Sequence, residues 1–520
     1  MAPTIGSGYN TPESELESSL HIHPTAARRP HAIVVHSENT YYSEDHITSK
    51  YVNRGANVVV SQGHYTVTPT FQSYEFQTKK IVSKTGLMMI GIGGNNGSTL
   101  TVSNNPITLG QFSRASTVRI GTDGSTGQDV HVPISDVLPM VHPNDLVLGG
   151  WDISGLSMDK AMERAKVLDY DLQRQVAPHL VALGKPLPSI YYPDFIAANQ
   201  EARADNVVPG ADKQAHLDHL RRDIRKFKAD HELDCVVALM TRRTTYFAAI
   251  KQSHFEVSPS TLFAVAAILE GEPFVNGAPQ NTFVPGVIDL AERHQSFISG
   301  DDLKSGQTKL KSVLAEFLVN AGIKPLSIAS YNHLGNNDGH NLSAEPQFKS
   351  KEISKSSVVD DMVDANRLLY KAPQPGSKAK GEHPDHIVVI KYVPAVGDSK
   401  RAIDEYYSEI FCGGRSTINI FNECEDSLLA TPLILDLTIL TELLTRVKYR
   451  KLIAEGEKKD FAPLYPVLSL LSYMLKAPLV KPGTEVVNSL NRQRNALESF
   501  LKACIGLENN SDLLLESRIW

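Results

Sequence analysis

Gly86-Leu-Met-Met-Ile-Gly-Ile-Gly-Gly-Asn-Asn-Gly97 decides the fold. An apolar strand over Gly86–Ile92 runs into a glycine turn and then a helix start. That arrangement lets backbone amides approach a pyrophosphate, and a helix N-terminus favours its charge. Taken alone, the pattern is as often a plain glycine turn as a nucleotide loop. Two neighbours count against the nucleotide. Asn104-Asn-Pro106 interrupts the following helix after barely two turns. No Asp or Glu occurs between Ser98 and Thr122, where a ribose-binding acid is expected.

The elements further along still alternate as an α/β chain does. Asp145–Gly150 reads as a strand ending at Trp151-Asp152, Met158–Leu183 as one helix, and Leu233–Met240 as a buried strand. Ser258-Pro259 opens a helix that ends near Gly271, with proline where it is tolerated. Upstream, Ile33–Gln77 alternates β-prone and polar residues and reads as an arm of short strands; residues 1–32 have the composition of a disordered tail. His386–Tyr392 and Ser416–Phe421 are further strands, Lys371–Asp385 is a Pro, Gly and Lys loop, and Val487–Leu507 is a C-terminal helix.

Polar turns crowd one span. Ser299-Gly-Asp-Asp-Leu-Lys-Ser-Gly-Gln-Thr-Lys309, Ser330-Tyr-Asn-His-Leu-Gly-Asn-Asn-Asp-Gly-His-Asn341 and Lys351-Glu-Ile-Ser-Lys-Ser-Ser-Val-Val-Asp-Asp361 bracket a helix and a strand. The helix shows Leu310, Val313, Leu314, Phe317 and Leu318 on one face with Gly322 to cap it, and Lys324–Ser330 follows as a buried strand. Any one such turn needs only its geometry as an explanation. Three together, two of them with Lys beside Ser, suit an anionic, hydroxylated ligand, since lysine is a point charge for phosphate and Asn and Asp bind hydroxyls. Lys476 sits inside the apolar run Leu470–Leu479. It reads either as a snorkelling lysine at a helix end or as a buried amine able to share a proton.

Composition narrows the class. The 520 residues are 41% hydrophobic and 21% charged, with a net charge of −6, which suits a soluble protein of more than one domain. Lys and Arg are scattered without a basic, aromatic-interleaved run, which argues against nucleic acid. Cys235, Cys412, Cys424 and Cys504 lack metal or redox spacing, no HExxH occurs, and the cysteines read as reduced and cytosolic. Leu428–Val447 is the longest apolar tract, but Asp436, Glu442 and Arg446 within it favour a buried helix over a membrane span. The N-terminus has no apolar signal core.

Gly91–Gly97, Ser189-Ile-Tyr-Tyr-Pro-Asp-Phe-Ile-Ala-Ala-Asn-Gln200, Asn281-Thr-Phe-Val-Pro-Gly286, Ser299–Asp361, Gly397-Asp-Ser-Lys400 and Glu425-Asp-Ser-Leu-Leu-Ala430 closely resemble eukaryotic myo-inositol-1-phosphate synthase, from about Ile33 to the C-terminus. The resemblance implies an α/β protein: a Rossmann-like NAD-binding domain plus an α+β catalytic and tetramerisation domain. Its divisions would be a tail at 1–32, an arm at 33–84, the NAD domain at 85–308, the catalytic and oligomerisation domain at 309–429, and a returning helical segment at 430–520. The implied reaction turns glucose 6-phosphate into inositol 3-phosphate, the first step of inositol synthesis for phospholipids, in a cytoplasmic homotetramer. NAD would oxidise C5, the ketone would acidify C6, the C6 enolate would attack the C1 aldehyde, and the hydride would return.

By the same resemblance, Lys351, Lys355, Lys400 and Lys476 are the catalytic and phosphate-contacting lysines, with Asp302, Asn332 and Asp338 as polar partners and no metal. The implied cofactor contacts are Gly93, Gly94, Asn95, Asn96 and Gly97 in the glycine turn, then Asp152, Ser189, Gln200, Arg203 and Gly277. Ser305, Asn336, Asn337, Asp398, Asp426 and Ser427 complete them. Lys351 and Lys355, four apart, would point into one pocket from a helical turn.

The sequence departs from the family in two places. The segment after Gly97, near 98–118, is shorter, and so is the one near 241–257, where Thr241-Arg-Arg-Thr-Thr-Tyr-Phe-Ala-Ala-Ile250 replaces the family's pattern. Two other readings therefore stand beside the synthase: a family member that assembles and binds sugar phosphate but not NAD, and an ordinary NAD dehydrogenase. The dehydrogenase explains the glycine turn but not the lysines.

Overall fold

The computed structural model describes residues 33–102, 110–196, 198–241, 257–342, 351–352, 355–356, 358–360, 362–363, 366, 368–371, 381–452, 459–464, 470–480 and 488–508. The proposed tail at 1–32, the Asn104–Pro106 break, most of the 241–257 departure and most of the Lys371–Asp385 loop lie outside these residues.

An arm comes first. Strands β1 (Thr40–Tyr42), β2 (His46–Ser61) and β3 (His64–Lys79) form an antiparallel meander whose long hairpin turns at Gln62-Gly63, both at positive φ. Left-handed backbone at both turn residues matches the twist of the paired strands.

Strand β4 (Thr85–Ile90) is buried throughout. Leu87 and Met89 enter one core, Met88 and Ile90 the other, as a strand covered on both faces requires. Helices α1 (Asn95–Thr101) and α2 (Phe112–Ala115) and a hairpin of β5 (Thr117–Thr122) and β6 (Asp129–Pro133) lead to β7 (Val147–Asp152). The single helix expected over Met158–Leu183 is two, α3 (Met158–Ala165) and α4 (Tyr170–Leu183). Lys166 adopts a left-handed conformation at the end of α3, and the Asp169 carboxylate caps α4 by accepting from Leu172 N at 2.9 Å. Strand β8 (Leu187–Pro188), helix α5 (Lys213–Asp230), strand β9 (Cys235–Met240), helix α6 (Pro259–Leu269), strand β10 (Phe274–Asn276), helix α7 (Pro285–His294) and strand β11 (Ile298–Ser299) follow.

These strands make one parallel sheet in the order β8-β7-β4-β9-β10-β11. That is the doubly wound dinucleotide-binding order, whose crevice opens where β4 and β9 part, beyond their carboxyl ends.

Helix α8 (Gly306–Asn320) joins this sheet to a second one. Its buried face matches the expected apolar stripe only in part: Leu318 is buried and Leu314 packs on the core, but Val313 and Phe317 are exposed, while Gln307, Thr308, Lys311 and Ser312 are buried with Ala315 and Val319. The apolar periodicity misplaced the centre of the buried face because the inner surface of α8 also carries polar groups. Gly322, at φ +75, lies just past its end as expected.

The second sheet runs β13-β12-β14-β15, from β12 (Lys324–Leu334), β13 (Asp385–Tyr392), β14 (Ser399–Glu409) and β15 (Arg415–Glu425). Helix α9 (Asn337–Asn341) follows β12, and the helical residues described between 351 and 363 form α10. Leu318 and Val319 of α8 and Val359 and Val363 of α10 pack on its inner face against Ile328 and Tyr406.

The apolar tract becomes α11 (Asp426–Thr445), mostly buried. Its polar residues bind within the fold: Asp436 accepts from Phe112 N at 2.6 Å and Ser113 N at 3.0 Å, and Glu442 pairs with Arg446 at 2.7 Å. Strands β16 (Val447–Lys451) and β17 (Ala462–Pro463) extend the arm's sheet. The C-terminal helix α12 spans Leu490–Ala503.

Candidate active site

The crevice of the parallel sheet and the inner corner of the second sheet share one cleft of about 830 Å³. On the sheet side it is lined by Gly91, Gly94, Asn95, Asn96, Asp152 and Arg203. Gly97 accepts no side chain, because a Cβ there would lie 2.2 Å from the Ile92 carbonyl oxygen. The chain turns here with its backbone bare to the cleft, the surface a pyrophosphate needs.

The acid missing from the segment after Ser98 stands elsewhere. Asp152, at the carboxyl end of β7, accepts from Gly93 N at 3.1 Å, 59 positions along the chain. Arg203 Nη2 lies 3.7 Å from it. The fold puts an acid at this strand end; the inserted α2 and β5–β6 hairpin only lengthen the route to it. Bare glycines, an acid at the neighbouring strand end and a cation beside it fit a dinucleotide.

The opposite wall carries the amines. Lys351 Nζ donates to both Asp302 oxygens, at 2.9 and 3.0 Å, and Lys476 Nζ lies 3.2 Å from the same carboxylate. Lys400 Nζ donates to Asp426 Oδ1 at 2.9 Å. Burial opposes charge on Lys400, yet the field and hydrogen bond of Asp426 hold its amine above the usual range. Lys476 is only 3% exposed and lies beside a 3₁₀ turn in a loop, so it does not snorkel from a helix end.

Asp302 is held in left-handed backbone, φ +61, which costs a non-glycine residue about 1 kcal/mol. Neighbouring backbone bonds fix it there: Lys476 N donates to Asp302 O at 2.8 Å and Asp301 N to Ala477 O at 2.8 Å.

Lys355 is buried behind the other lysines rather than on the cleft wall. Its Nζ donates to Gln307 Oε1 at 2.8 Å and Asn332 Oδ1 at 3.0 Å. Burial and the charges of Lys400, Lys311, Lys476 and Lys351 push this amine well below the usual lysine range. The expectation that Lys351 and Lys355 share one pocket surface is thus half met: both are helical, one faces the cleft and one lies beneath it.

The remaining expected residues cluster around the cleft. Gly277, Ser305, Asn336, Asn337, Asp338 and Ser427 line it. Asp398 stands behind as a clamp on three elements, accepting from Asn336 Nδ2 at 2.9 Å, Ser427 N at 2.9 Å and Asn95 Nδ2 at 3.4 Å. Burial raises its carboxyl above the ordinary range, and these hydrogen bonds restrain the rise. Gln200 is buried between Arg203 and Asn337, at 3.1 and 3.2 Å. Ser189 is buried beyond β8, bonded through its backbone to Asn206 and Val208.

Residues 85–502 match the family model for myo-inositol-1-phosphate synthase, an NAD-binding one. The chain belongs to the myo-inositol-1-phosphate synthase family. It is 49% identical over 516 residues to the inositol-3-phosphate synthase of Dictyostelium discoideum, covering 93% of this chain and 98% of that one. The Drosophila melanogaster inositol-3-phosphate synthase is 52% identical over 514 residues, with 93% and 89% covered. The solved inositol-3-phosphate synthase of Caenorhabditis elegans superposes with a TM-score of 0.87 at 46% identity, covering 93% and 98%. A Thermotoga maritima relative, at 17% identity and TM-score 0.56, shares the fold.

As a member of this synthase family the chain uses NAD, for which the glycine turn, Asp152 and Arg203 provide the surface. Three groups at the site went unremarked in the sequence: Gln307 and Lys311 on α8 and Asp404 on β14. Gln307 Nε2 donates to Asp404 Oδ1 at 2.6 Å. The signal was a buried helix face rich in polar residues, visible only once Val313 and Phe317 are known to face outward.

Proposed function

We propose that the chain converts D-glucose 6-phosphate to 1D-myo-inositol 3-phosphate, an intramolecular cyclisation without net redox change. The observation that carries this reading is the set of lysines and carboxylates facing a dinucleotide crevice across one cleft. NAD, when bound, supplies a hydride acceptor for the sugar C5 hydroxyl and returns the hydride at the end.

The protein's share is proton transfer and charge. Lys351, Lys355, Lys400 and Lys476 take the C5 hydroxyl proton, remove the acidified C6 proton, steady the enolate oxygen and protonate the C1 oxygen as the C6–C1 bond forms. Asp302 touches both Lys351 and Lys476, so a proton can move between them without leaving the site. Asp338 completes the polar lining around the sugar, and Asn332 holds Lys355 beneath it.

The test is turnover of glucose 6-phosphate with a trace of NAD⁺. Inositol phosphate must form without accumulating NADH; net NADH release would mark a dehydrogenase. A folded sample that binds NAD and does not turn over refutes the reading. Saturable NAD binding removes the alternative of an assembling subunit that cannot hold the cofactor.

A homotetramer is part of the same proposal. Tyr331, Ile403 and Phe421 stand in one cross-strand row on the open face of the second sheet, exposed at 39, 49 and 62%. Rows of exposed apolar side chains suit a self-complementary interface. A cytoplasmic setting, with the product feeding phospholipid synthesis, agrees with four unpaired cysteines and is checked by cell fractionation.

A further inference from the structure

Behind the lysine wall lies a second buried cluster that the reaction does not use. Lys311 of α8, 1% exposed, donates to Ser330 Oγ and lies 3.0 Å from His386 Nε2. Burial lowers this amine to about 8, so it is still charged at neutral pH. His386, lowered to about 3 by burial first and then by the charge of Lys311, is neutral and accepts.

Carboxylates in this region are committed unevenly. Asp302 serves Lys351 and Lys476, Asp426 serves Lys400, and Asp404 is held by Gln307 Nε2 with Lys311 within its field. Among the described residues Lys355 makes no carboxylate contact. Its two acceptors are amide oxygens of fixed orientation: Gln307 gives its NH₂ to Asp404, and Asn332 gives its NH₂ to Val389 O at 3.3 Å. A neutral amine has two hydrogens, which those two oxygens use; a third would point among charged Lys311, Lys351, Lys400 and Lys476.

We propose that Lys311, fixed by Ser330 and His386, is a positioning residue that leaves Lys355 uncharged until an anion enters, so that phosphate capture is coupled to uptake of one proton at Lys355 Nζ. The inference rests on the phosphate-ester substrate of the preceding subsection. The proton comes from solvent and adds to the amine lone pair; the incoming dianion supplies the countercharge, and no other bond changes.

The experiment titrates sulfate, a dianion that carries no proton at pH 7, into the NAD⁺-loaded protein in buffers of different ionisation enthalpy. The dependence of heat on buffer counts protons taken up. Wild type should take up about one per site, K311M less than about half of that, and K311R nearly the wild-type amount, because removing one buried charge moves a neighbouring amine by about one pH unit. Sulfate binding without buffer-dependent heat, or undiminished uptake in K311M, overturns the inference, as does no sulfate binding at all. Should K311M not fold, K355M decides: it must bind sulfate without proton uptake. Failure of glucose 6-phosphate turnover would count against the proposed reaction and not against this linkage, which sulfate alone reads.

Discussion

Replacing Asp302 by Asn removes a charge and little else. Asn is among the residues that best tolerate left-handed backbone, so the φ of +61 adds no new strain. What changes is the partner of two ammonium groups, Lys351 at 2.9 Å and Lys476 at 3.2 Å, with all three side chains no more than 5% exposed. Breaking a buried pair from one side costs roughly 3–5 kcal/mol. The amide oxygen remains as an acceptor, so the lower end applies, about 3 kcal/mol at pH 7. Urea midpoints for wild type and variant at pH 7 read this directly. Turnover should fall by about 10² or more while NAD affinity holds within about threefold. A stability difference under about 0.5 kcal/mol at pH 7 refutes the shared-carboxylate network.

Gly97→Ala should lower NAD affinity at least about tenfold, since its Cβ would meet the Ile92 carbonyl at 2.2 Å and α1 must shift; fluorescence titration measures it. Ile403→Asp, in the exposed row of the second sheet, should yield smaller particles in light scattering with an unchanged circular dichroism spectrum. Lys311 sets a pH dependence of stability. Its folded value of about 8 lies below the ordinary lysine value of 10.5, so the cost of burying its charge is full below pH 8 and is relieved as pH rises toward 10.5. The stability of wild type relative to K311M should accordingly rise by up to roughly 3 kcal/mol between pH 7 and pH 10, measured by denaturant midpoints.

The fold was legible where one principle acted alone. β4 and β9 are apolar runs because both faces are covered, and Ser258-Pro259 begins α6 with the serine side chain accepting from Thr261 N at 3.2 Å. It was less legible where local rules met tertiary demands. A sequence-distance rule placed the ribose acid within the segment after Ser98, but the acid belongs to the end of a neighbouring strand, and insertions do not move strand ends. The stripe of Leu310, Val313, Leu314, Phe317 and Leu318 suggested the core side of α8; Leu318 lies there, but Val313 and Phe317 face out while Gln307 and Lys311 face in. The lysines themselves came from the family resemblance; their spacing of four put Lys351 and Lys355 on one helix but could not say which reaches the cleft.

That division between the two lysines follows from the architecture. In β12 and β14 alternate residues face inward, so Asn332 and Asp404 both point beneath α8 and α10. A helix laid on such a face presents one turn toward its rim and the next over the middle. Lys351, nearer the rim, meets Asp302 at the sheet junction; Lys355, one turn on, meets the inward-facing amide Asn332 and the helix-borne Gln307. Carboxylates gather at the junction because the chain turns there, at Asp302 and Asp426, and turns admit Asp readily. The sheet's inner face offers Lys355 the amide of Asn332, while its inward carboxylate, Asp404, is taken by Gln307. One of four otherwise similar amines is thereby made different from the rest by position alone, which acid–base work at a single sugar requires.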